Sequence, residues 1–366
     1  MCVMGQAVTD ARLAHEGSTT HHPAPWTRLS SHHSKRERSD RMDVIQKEMK
    51  VFSGSSNRPL AEAIVKKLGR ELSPLQLETF ANGEVYARYP ESVRGSDVFI
   101  IQSVAGPRVN DLLMEVLIMA DAAKRASART VTGVITHYAY ARQDRKAAPR
   151  EPITAKLVAD LYKAAGIDRL ITVDLHQGQI QGFFDGPVNH LTALPLFADY
   201  YSHKGFDMDN VCVVSPDVGR AKASKRLSDM LGASFAVAHK GRPQHNAAEV
   251  MGIIGDIEGK TCIINDDMID TAGTLCGAVK ELKKKGAGKI YVGATHGLLS
   301  GPAYERLEEA PIEEVLVTDA VPLDPERAKA CSKIKVLSLA DEFARAIQNV
   351  YTEQSVSGMF GINPEF

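Results

Sequence analysis

From Met49 onward, short runs of apolar and β-branched residues alternate with longer segments whose apolar positions recur every three to four residues. The short runs fit strands and the longer segments fit amphipathic helices. VFII at 98–101 and VCVV at 211–214 are continuously apolar, as in strands that are buried on both faces. The alternation predicts an α/β fold of mainly parallel sheets flanked by helices. Ligands are then expected at the carboxyl ends of the strands.

Two segments, 98–138 and 261–297, share the same succession of strand, loop, long helix, turn with basic and small residues, and strand. We interpret them as an internal duplication. Only the second keeps a loop of acidic and small residues, so the first is interpreted as a structural copy whose phosphate site has been lost or reused. A chain of 366 residues, 44% of them hydrophobic, has enough apolar material for two cores. The predicted domains are 49–193 and 194–366.

The net charge and the cysteines indicate which ligands and which cellular compartment to expect. A formal net charge of -1 gives no long-range attraction to nucleic acid or membrane, so a bound anion must be held by local groups. The apolar runs are too short for a membrane span, and residues 1–10 lack the features of a secretory signal. Cys212 and Cys262 lie in strand-like runs, where they fit small buried hydrophobes. We expect a cytoplasmic protein that binds neither nucleic acid nor membrane.

Residues 1–48 differ in composition from the rest of the chain. They hold the only tryptophan, a histidine-rich patch and the charge cluster KRERSDR, with little periodic apolar patterning. Such a composition does not readily bury a core. We expect a disordered extension, or a start codon assigned too early with the domain beginning at Met42 or Met49. A metal-binding or targeting tail is the alternative.

The segment INDDMIDTAGT, residues 264–274, combines three acids with a turn of small residues. We expect TCII at 261–264 to be a strand, 265–274 to be a loop, and a helix to follow as far as Gly286. The small residues let the main chain approach a ligand, and successive N–H groups at the start of a helix favour a phosphate. The turn of small residues in the predicted phosphate site comprises Thr271, Ala272, Gly273 and Thr274.

The neighbouring acids need a different ligand, because a carboxylate and a phosphate repel each other. Asp266 and Asp267 can accept hydrogen bonds from the vicinal hydroxyls of a sugar whose phosphate occupies the turn. The segment therefore predicts a sugar phosphate. The alternative is a helix N-cap with acids that complement the helix dipole, which accounts for one Asp better than for three.

Other polar residues follow predicted strands. His176 and Asp217 end apolar runs and could share a magnesium ion, although Mg²⁺ prefers oxygen, so the residues alone favour a structural His176. Arg142 and Gln143 follow another strand, where a guanidinium can bind a polyphosphate. A solvated run of charge is the alternative there.

Two further motifs carry candidate ligand contacts. In FANGEV at 80–85, Phe80 can stack on a base while Asn82 and Glu84 bind its edge, and a hairpin turn at Asn-Gly is the alternative. AHKGRPQHN at 238–246 has the composition of a mobile loop. Its cations, Lys240 and Arg242, could close over a transferring group and neutralise charge that develops in the transition state.

The acids followed by DTAGT resemble the phosphoribosyl-pyrophosphate loop of type I phosphoribosyltransferases. In addition, four segments are similar to signatures of the ribose-phosphate diphosphokinases: FANGEV, YARQDRKAAPREPITAKL, DLHQGQIQGFFDGPVNH and VSPD. The resemblance extends from Met49 to the C-terminus. It implies two tandem type I phosphoribosyltransferase-like domains, and transfer of a diphosphoryl group from Mg-ATP to the 1-hydroxyl of ribose 5-phosphate.

The resemblance also implies roles for individual residues. His176 and Asp217 would bind Mg²⁺, and Lys240 and Arg242 would be catalytic. The implied ATP contacts are Phe80, Asn82, Gly83, Glu84, Arg142 and Gln143. The implied ribose 5-phosphate contacts are Arg242, Asp266, Asp267, Asp270, Thr271, Ala272, Gly273 and Thr274. In the family the segment that matches FANGEV comes from a neighbouring subunit, so a homo-oligomer with a dimer contact at the active site, and a hexamer overall, are implied.

Three positions depart from the family pattern. Asn189 stands where Asp is usual, Arg220 where Gly is common, and Gly241 where a further cation is frequent. Two other functions remain open at this level. A phosphoribosyltransferase would use the same loop with a nucleobase and without ATP, and a non-catalytic regulatory relative would bind nucleotides through the same fold.

Overall fold

The computed structural model describes residues 47–241, 250–356 and 358, with the main chain alone at 239–241, 250 and 251. The chain from Lys47 onward forms one compact unit. The expected extension at residues 1–48 lies outside the described residues except for its last two positions.

Strands and helices alternate along this part of the chain, as the apolar pattern predicts. The strands are β1 (Met49–Ser53), β2 (Gln76–Thr79), β3 (Val85–Arg88), β4 (Asp97–Ser103), β5 (Thr130–His137), β6 (Arg169–Val173), β7 (Val188–Leu191), β8 (Val211–Ser215), β9 (Ser234–Gly241), β10 (Val250–Ile254), β11 (Thr261–Ile269), β12 (Ile290–Gly297), β13 (Glu314–Thr318) and β14 (Ile334–Leu337). The helices are α1 (Arg58–Lys67), α2 (Val109–Arg125), α3 (Thr154–Ala164), α4 (Leu194–Ser202), α5 (Ala221–Leu231), α6 (Gly273–Lys284), α7 (Ala303–Glu309), α8 (Pro325–Ala328) and α9 (Ala340–Tyr351).

The described strands form two large sheets and a hairpin. One sheet is parallel throughout, in the order β1-β4-β5-β6-β7. The other has the order β10-β9-β8-β11-β12-β13-β14, and only its β9–β10 pair is antiparallel. The hairpin is β2–β3. The predicted α/β class is confirmed, whereas the predicted domain boundary between 193 and 194 stays a prediction.

The order of the seven-stranded sheet reverses at its centre. From β8 the chain continues outward to β9 and β10 and then returns to β11 on the opposite side of β8. Such a reversal leaves a crevice between the carboxyl ends of the two strands, because their connections leave in opposite directions. The crevice at β8 and β11 is therefore the position at which the fold favours a ligand.

Alternate residues of the central strands face different apolar clusters. On β11, Ile263 belongs to a cluster that both large sheets share, while Cys262 and Ile264 face a second cluster together with residues of α6 and α7. A third cluster covers the other face of the five-stranded sheet under α2 and α3. Because each such side chain contributes about 1.5–3 kcal/mol on burial, this alternation fixes which residues of a strand face which layer.

Polar contacts join the two large sheets near the carboxyl ends of their strands. Asn57 Nδ2 donates to the Asp319 carbonyl at 2.7 Å. Ser103 Oγ donates to the Ala320 carbonyl at 2.7 Å. Thr295 Oγ1 donates to Asp174 Oδ2 at 2.6 Å. The first two join the segment after β1 and the end of β4 to the segment after β13, and the third joins the end of β6 to β12.

Two histidines at matching positions of the duplicated segments meet between the sheets. His137 on β5 and His296 on β12 each follow a Thr, and their rings pack edge to face with centroids 4.6 Å apart. His296 Nε2 lies 3.1 Å from the Val173 carbonyl and 3.2 Å from that of Asp174, so this nitrogen is the donor. Burial lowers the pKa of both histidines, that of His137 well below the ordinary value, and the neighbouring His296 lowers the pKa of His137 further.

Among the described helices, none is both long and apolar enough to cross a membrane.

The thermal midpoint of unfolding should fall as the pH drops from 7.5 to 5.5. A histidine that stays neutral when folded binds its proton only in the unfolded chain, so below pH 6.5 protons favour unfolding. For His137 this destabilisation is on the order of 1 kcal/mol at pH 5.5. We expect His137→Gln to have a smaller pH-dependent loss of midpoint than the wild type, measured by circular dichroism. His203→Gln, at an exposed histidine, is the matched control and should keep the wild-type slope.

Candidate active site

The acidic segment lies on the central strand of the seven-stranded sheet. The expectation that the strand ends at Ile264 is wrong, because β11 continues to Ile269 and pairs with β12, with Asp266 opposite Ala294. The pairing with β8 stops at Ile264. Asp266 and its neighbours therefore have a paired edge toward β12 and an unpaired edge toward the crevice.

The two neighbouring acids differ in their surroundings. Asp267 is buried, and its Oδ2 lies 2.7 Å from Nδ1 of His176. The Nε atom of Arg220 lies 3.7 Å from Asp266 Oδ1 and 3.8 Å from Asp267 Oδ1. His176 follows β6 of the other sheet, and Arg220 lies in the segment between β8 and α5. Three segments of the chain thus meet at this acidic pair.

The surroundings shift the pKa values of the pair in opposite directions. Burial opposes ionisation of Asp267, but the hydrogen bond from His176 and the charge of Arg220 lower its pKa on balance. Burial raises the pKa of Asp266 to about 7, and the adjacent Asp267 adds to this rise. The hydrogen bond to Asp267 raises the pKa of His176. The surroundings therefore favour ionisation of Asp267 and oppose ionisation of Asp266.

A short turn, 270–272, joins β11 to α6, which begins at Gly273, two residues earlier than expected. Ala272 has a φ of 58°, a left-handed conformation that non-glycine residues adopt mainly where their surroundings impose it. The Ser300 amide donates to the Asp270 carbonyl at 3.0 Å, and Arg306 Nη1 donates to the Thr271 carbonyl at 2.9 Å. No side chain of the described residues caps α6, so its first amides can donate to an anion.

His176 and Asp217 lie at the carboxyl ends of β6 and β8, as the sequence predicts. The carboxylate of Asp217 accepts a hydrogen bond from the Arg220 amide at 2.9 Å, which fixes the start of α5. Both side chains line a cleft of about 540 Å³ at the crevice. Ten of the predicted site residues line this cleft: Arg142, His176, Asp217, Asp266, Asp267, Asp270, Thr271, Ala272, Gly273 and Thr274.

Arg142 connects this cleft to a second one. Its Nη1 donates to Asp270 Oδ2 at 2.8 Å, so a residue assigned to ATP contacts the predicted phosphate turn. Arg142 and Gln143 also line a neighbouring cavity of about 520 Å³, together with Gly106 from the first copy of the duplicated loop. Gln143 Oε1 accepts a hydrogen bond from Thr154 Oγ1 at 2.5 Å. The two cavities could together take a ligand that spans both.

Four predicted ATP contacts lie elsewhere, at the tip of the β2–β3 hairpin: Phe80, Asn82, Gly83 and Glu84. Gly83 has a φ of 91°, as an Asn-Gly hairpin turn requires, so the hairpin alternative is correct for the local structure. Phe80 is 49% exposed, so much of its ring faces solvent. Within the described part of the chain, the hairpin tip lines neither cavity.

The predicted loop cations cannot be placed in the same way. The main chain of Lys240 lies on β9 opposite Met251 of β10, but its side chain lies outside the described residues. Arg242 lies outside them entirely. Their catalytic roles stay predictions.

The described residues contain no cluster of three or more His, Cys, Asp or Glu side chains with metal-binding geometry. Mg²⁺ commonly takes one or two protein ligands and completes its shell with water and substrate phosphates, so this finding is compatible with Mg²⁺ bound together with a nucleotide. His176 and Asp217 both border the cleft, and the contact of His176 Nδ1 with Asp267 leaves its Nε2 for a ligand. The donors therefore fit a magnesium ion carried by a polyphosphate.

Arg220 also lines this cleft, and sequence reasoning assigned it no role. It was noted as a departure from a family pattern, and no local signal indicates that its side chain reaches acids some fifty positions further along the chain. Its position depends on the pairing of β8 with β11, which is a non-local property.

Comparisons with known proteins agree with these observations. A model of the N-terminal domain of ribose phosphate pyrophosphokinase matches residues 49–166, and a phosphoribosyl synthetase-associated domain matches 233–361. A ribose-phosphate pyrophosphokinase of Caldanaerobacter subterraneus is 52% identical over 312 residues, which are 85% of this chain and 98% of the relative. One from Fusobacterium nucleatum is 50% identical over the same shares.

A solved structure agrees as well. The phosphoribosylpyrophosphate synthetase of Mycobacterium smegmatis superposes with a TM-score of 0.79 at 44% identity, over 84% of this chain and 100% of that one. The resemblance inferred from the sequence motifs is thereby confirmed. From the family models, the identities and this superposition we conclude that the chain belongs to the ribose-phosphate pyrophosphokinase family.

Proposed function

We propose that this chain transfers the diphosphoryl group of ATP to the 1-hydroxyl of ribose 5-phosphate, giving 5-phosphoribosyl 1-diphosphate and AMP. Family membership supports the reaction. The single structural observation that supports it best is the cleft at the strand-order reversal. There an acidic pair and an uncapped helix N-terminus line the same space. These two features suit the hydroxyls and the phosphate of one sugar phosphate.

The ribose would bind along the unpaired edge of β11. Asp266 and Asp267 would accept hydrogen bonds from its vicinal hydroxyls, which a carboxylate does with both oxygens. The 5-phosphate would lie on 270–274, where the first amides of α6 and the hydroxyls of Thr271 and Thr274 donate. The charges complement each other along the ligand, because the acids face the neutral hydroxyls and the amides face the phosphate.

ATP would occupy the neighbouring cavity, with Arg142 at its junction with the sugar site. A guanidinium there can contact phosphate oxygens of either substrate. Gln143 would contact the nucleotide from the same segment. The hairpin tip of a second copy would supply Phe80, Asn82, Gly83 and Glu84, which explains why a large aromatic ring is exposed on a tip that lines no cavity of its own subunit. We therefore propose a homo-oligomer with sites at a dimer contact, and a hexamer overall.

We propose Mg²⁺ as the cofactor, held by His176 and Asp217 with the ATP phosphates. When bound, the ion would neutralise phosphate charge and orient the polyphosphate. Asp267 positions the His176 ring through Nδ1, as outer carboxylates commonly do for histidine ligands.

The chain's own residues would then align and neutralise the reactants. In the proposed step the 1-hydroxyl oxygen forms a bond to the β-phosphorus and releases its proton to solvent, the bond from that phosphorus to the oxygen of the α-phosphate breaks, and AMP leaves. Such transfers need alignment and charge stabilisation rather than a covalent nucleophile. Lys240 and Arg242 would contribute the transition-state charge, with the loop that carries Arg242 excluding water.

We propose that the chain divides into domains at residues 49–193 and 194–366, with one large sheet in each. We also propose a cytoplasmic location, which is supported by four free, buried cysteines in the described part of the chain: Cys212, Cys262, Cys276 and Cys331.

A coupled assay for AMP formed from ATP and ribose 5-phosphate tests the reaction directly. In this assay Lys240→Ala should lower kcat more than tenfold, an increase in barrier above about 1.4 kcal/mol, because a transition-state cation is lost. The affinity for ribose 5-phosphate should change less. Lys284→Ala, at an exposed lysine of α6, should keep the wild-type kcat. An unchanged kcat in Lys240→Ala would remove the assigned role.

Asp266→Asn should weaken ribose 5-phosphate binding by about five- to thirtyfold, or about 1–2 kcal/mol, measured by titration calorimetry. Because the pKa of Asp266 is raised to about 7, its carboxylate becomes ionised as the pH rises from 6 to 8. Wild-type affinity should therefore increase with pH over this range, and the variant should respond less. Asp341→Asn, on the surface of α9, should match the wild type at each pH. Equal pH slopes in Asp266→Asn and wild type would contradict the sugar contact.

Mixed oligomers test the shared site. Phe80→Ala and Lys240→Ala should each be nearly inactive alone. Coexpressed, they should recover about a quarter of wild-type activity, because half of random dimers are mixed and each mixed dimer has one intact site. If activity does not exceed the sum of the separate variants although mixed dimers form, Phe80 acts within its own subunit or not at all.

A further inference from the structure

Arg220 is held at a fixed point beside the acidic pair by contacts of its own main chain. Its amide donates to Asp217 Oδ1 at 2.9 Å, and its carbonyl accepts from the Ser224 amide at 3.0 Å in the first turn of α5. Ser224 Oγ in turn donates to the Asn265 carbonyl at 3.3 Å. The residue before Asp266 is therefore tied to the helix that Arg220 begins, so the guanidinium and the acids keep their relative positions.

The side chain of Arg220 is directed into the protein at the cleft wall. It is only 14% exposed, although arginine side chains are mostly solvated. Its Nε lies 3.7 Å from Asp266 Oδ1 and 3.8 Å from Asp267 Oδ1, which is ion-pair distance from both acids at once. These separations are too long for a hydrogen bond.

The Nε atom of Arg220 is also buried and has no hydrogen-bond partner among the described residues. A buried donor without an acceptor is destabilising, and natural structures retain few of them. Here the unpaired donor lies between two carboxylates that the proposed function assigns to the sugar. An unpaired buried donor of this kind is retained where another interaction requires it.

Without a cation, two neighbouring carboxylates at a buried strand end repel each other and lose hydration. His176 neutralises one side of the pair, since its Nδ1 contacts Asp267 Oδ2. Arg220 faces the Oδ1 atoms of both acids. It is the described cation that contacts both members of the pair, so it is suited to keep them charged and adjacent.

We infer that Arg220 is a positioning residue for ribose 5-phosphate, whose fixed charge holds Asp266 and Asp267 together as acceptors for the sugar hydroxyls. This inference rests on the proposed function. Arg220 would act through the acids, and it need not touch the reacting atoms. Its contribution should therefore appear in binding of the sugar phosphate rather than of the nucleotide.

Calorimetric titration of the full-length protein with ribose 5-phosphate, and separately with Mg-ATP, tests the inference. We expect Arg220→Gln to weaken ribose 5-phosphate binding by at least about tenfold and Mg-ATP binding by less than about twofold. Arg220→Lys keeps the charge and should stay within about threefold of the wild type for both ligands. Arg125→Gln removes the same charge at an exposed position of α2 outside the cleft and should leave ribose 5-phosphate binding within about twofold.

A double variant separates positioning from a general structural role. If Arg220 acts through Asp266, then Arg220→Gln combined with Asp266→Asn should bind ribose 5-phosphate about as weakly as Asp266→Asn alone. Multiplicative losses, or equal losses for both ligands in Arg220→Gln, would overturn the inference. Wild-type binding of ribose 5-phosphate by Arg220→Gln would overturn it as well, even if the wild type forms AMP. A wild type that forms no AMP would instead overturn the proposed function.

Discussion

The site depends on β11, which extends further along the sheet than its neighbour β8. β11 is central in its sheet and pairs on both sides as far as Ile264, but beyond that residue only β12 continues beside it. The main chain of Asp266 is thus held in a sheet while its other edge is open to the crevice. Because a strand end in a sheet is far more rigid than a loop, the acids keep a defined spacing from the turn at 270–272.

Placing two acids at this strand end has an electrostatic cost that other segments offset. The compensating groups come from opposite directions: His176 from the five-stranded sheet and Arg220 from the start of α5. The geometry of the acidic pair consequently depends on how the two large sheets meet. That contact is fixed by hydrogen bonds between the sheets, such as the one from Thr295 to Asp174. It is also fixed by the edge-to-face packing of His137 against His296. Packing between the sheets and charge balance in the cleft are therefore linked.

The sequence predicted the features that depend on local pattern. Buried strands, the α/β class and the emergence of His176 and Asp217 at strand ends follow from apolar runs and their termini. The boundary of β11 was predicted too early, because NDDM is polar and strand propensity there is low; the extension comes from pairing with β12, which local sequence does not encode. The role of Arg220 was missed for the same reason, since its partners are brought to it by the pairing of distant strands. The hairpin at Phe80 follows from its local Asn-Gly sequence, whereas its contact with ATP stays a prediction, because the tip lines neither cavity of the described residues.

The two copies of the duplicated unit differ in a way that their topology explains. In the seven-stranded sheet the order reverses beside β11, so the loop that follows this strand faces a crevice. In the five-stranded sheet the described strands follow one another without reversal, and the loop after β4 instead lines a cavity against residues of the second sheet, including Met268 and Ser300. The loop after β11 therefore faces a crevice in its own sheet. The loop after β4 instead lines a cavity whose opposite wall comes from the seven-stranded sheet. A pair of adjoining cavities that meet at Arg142 is the consequence.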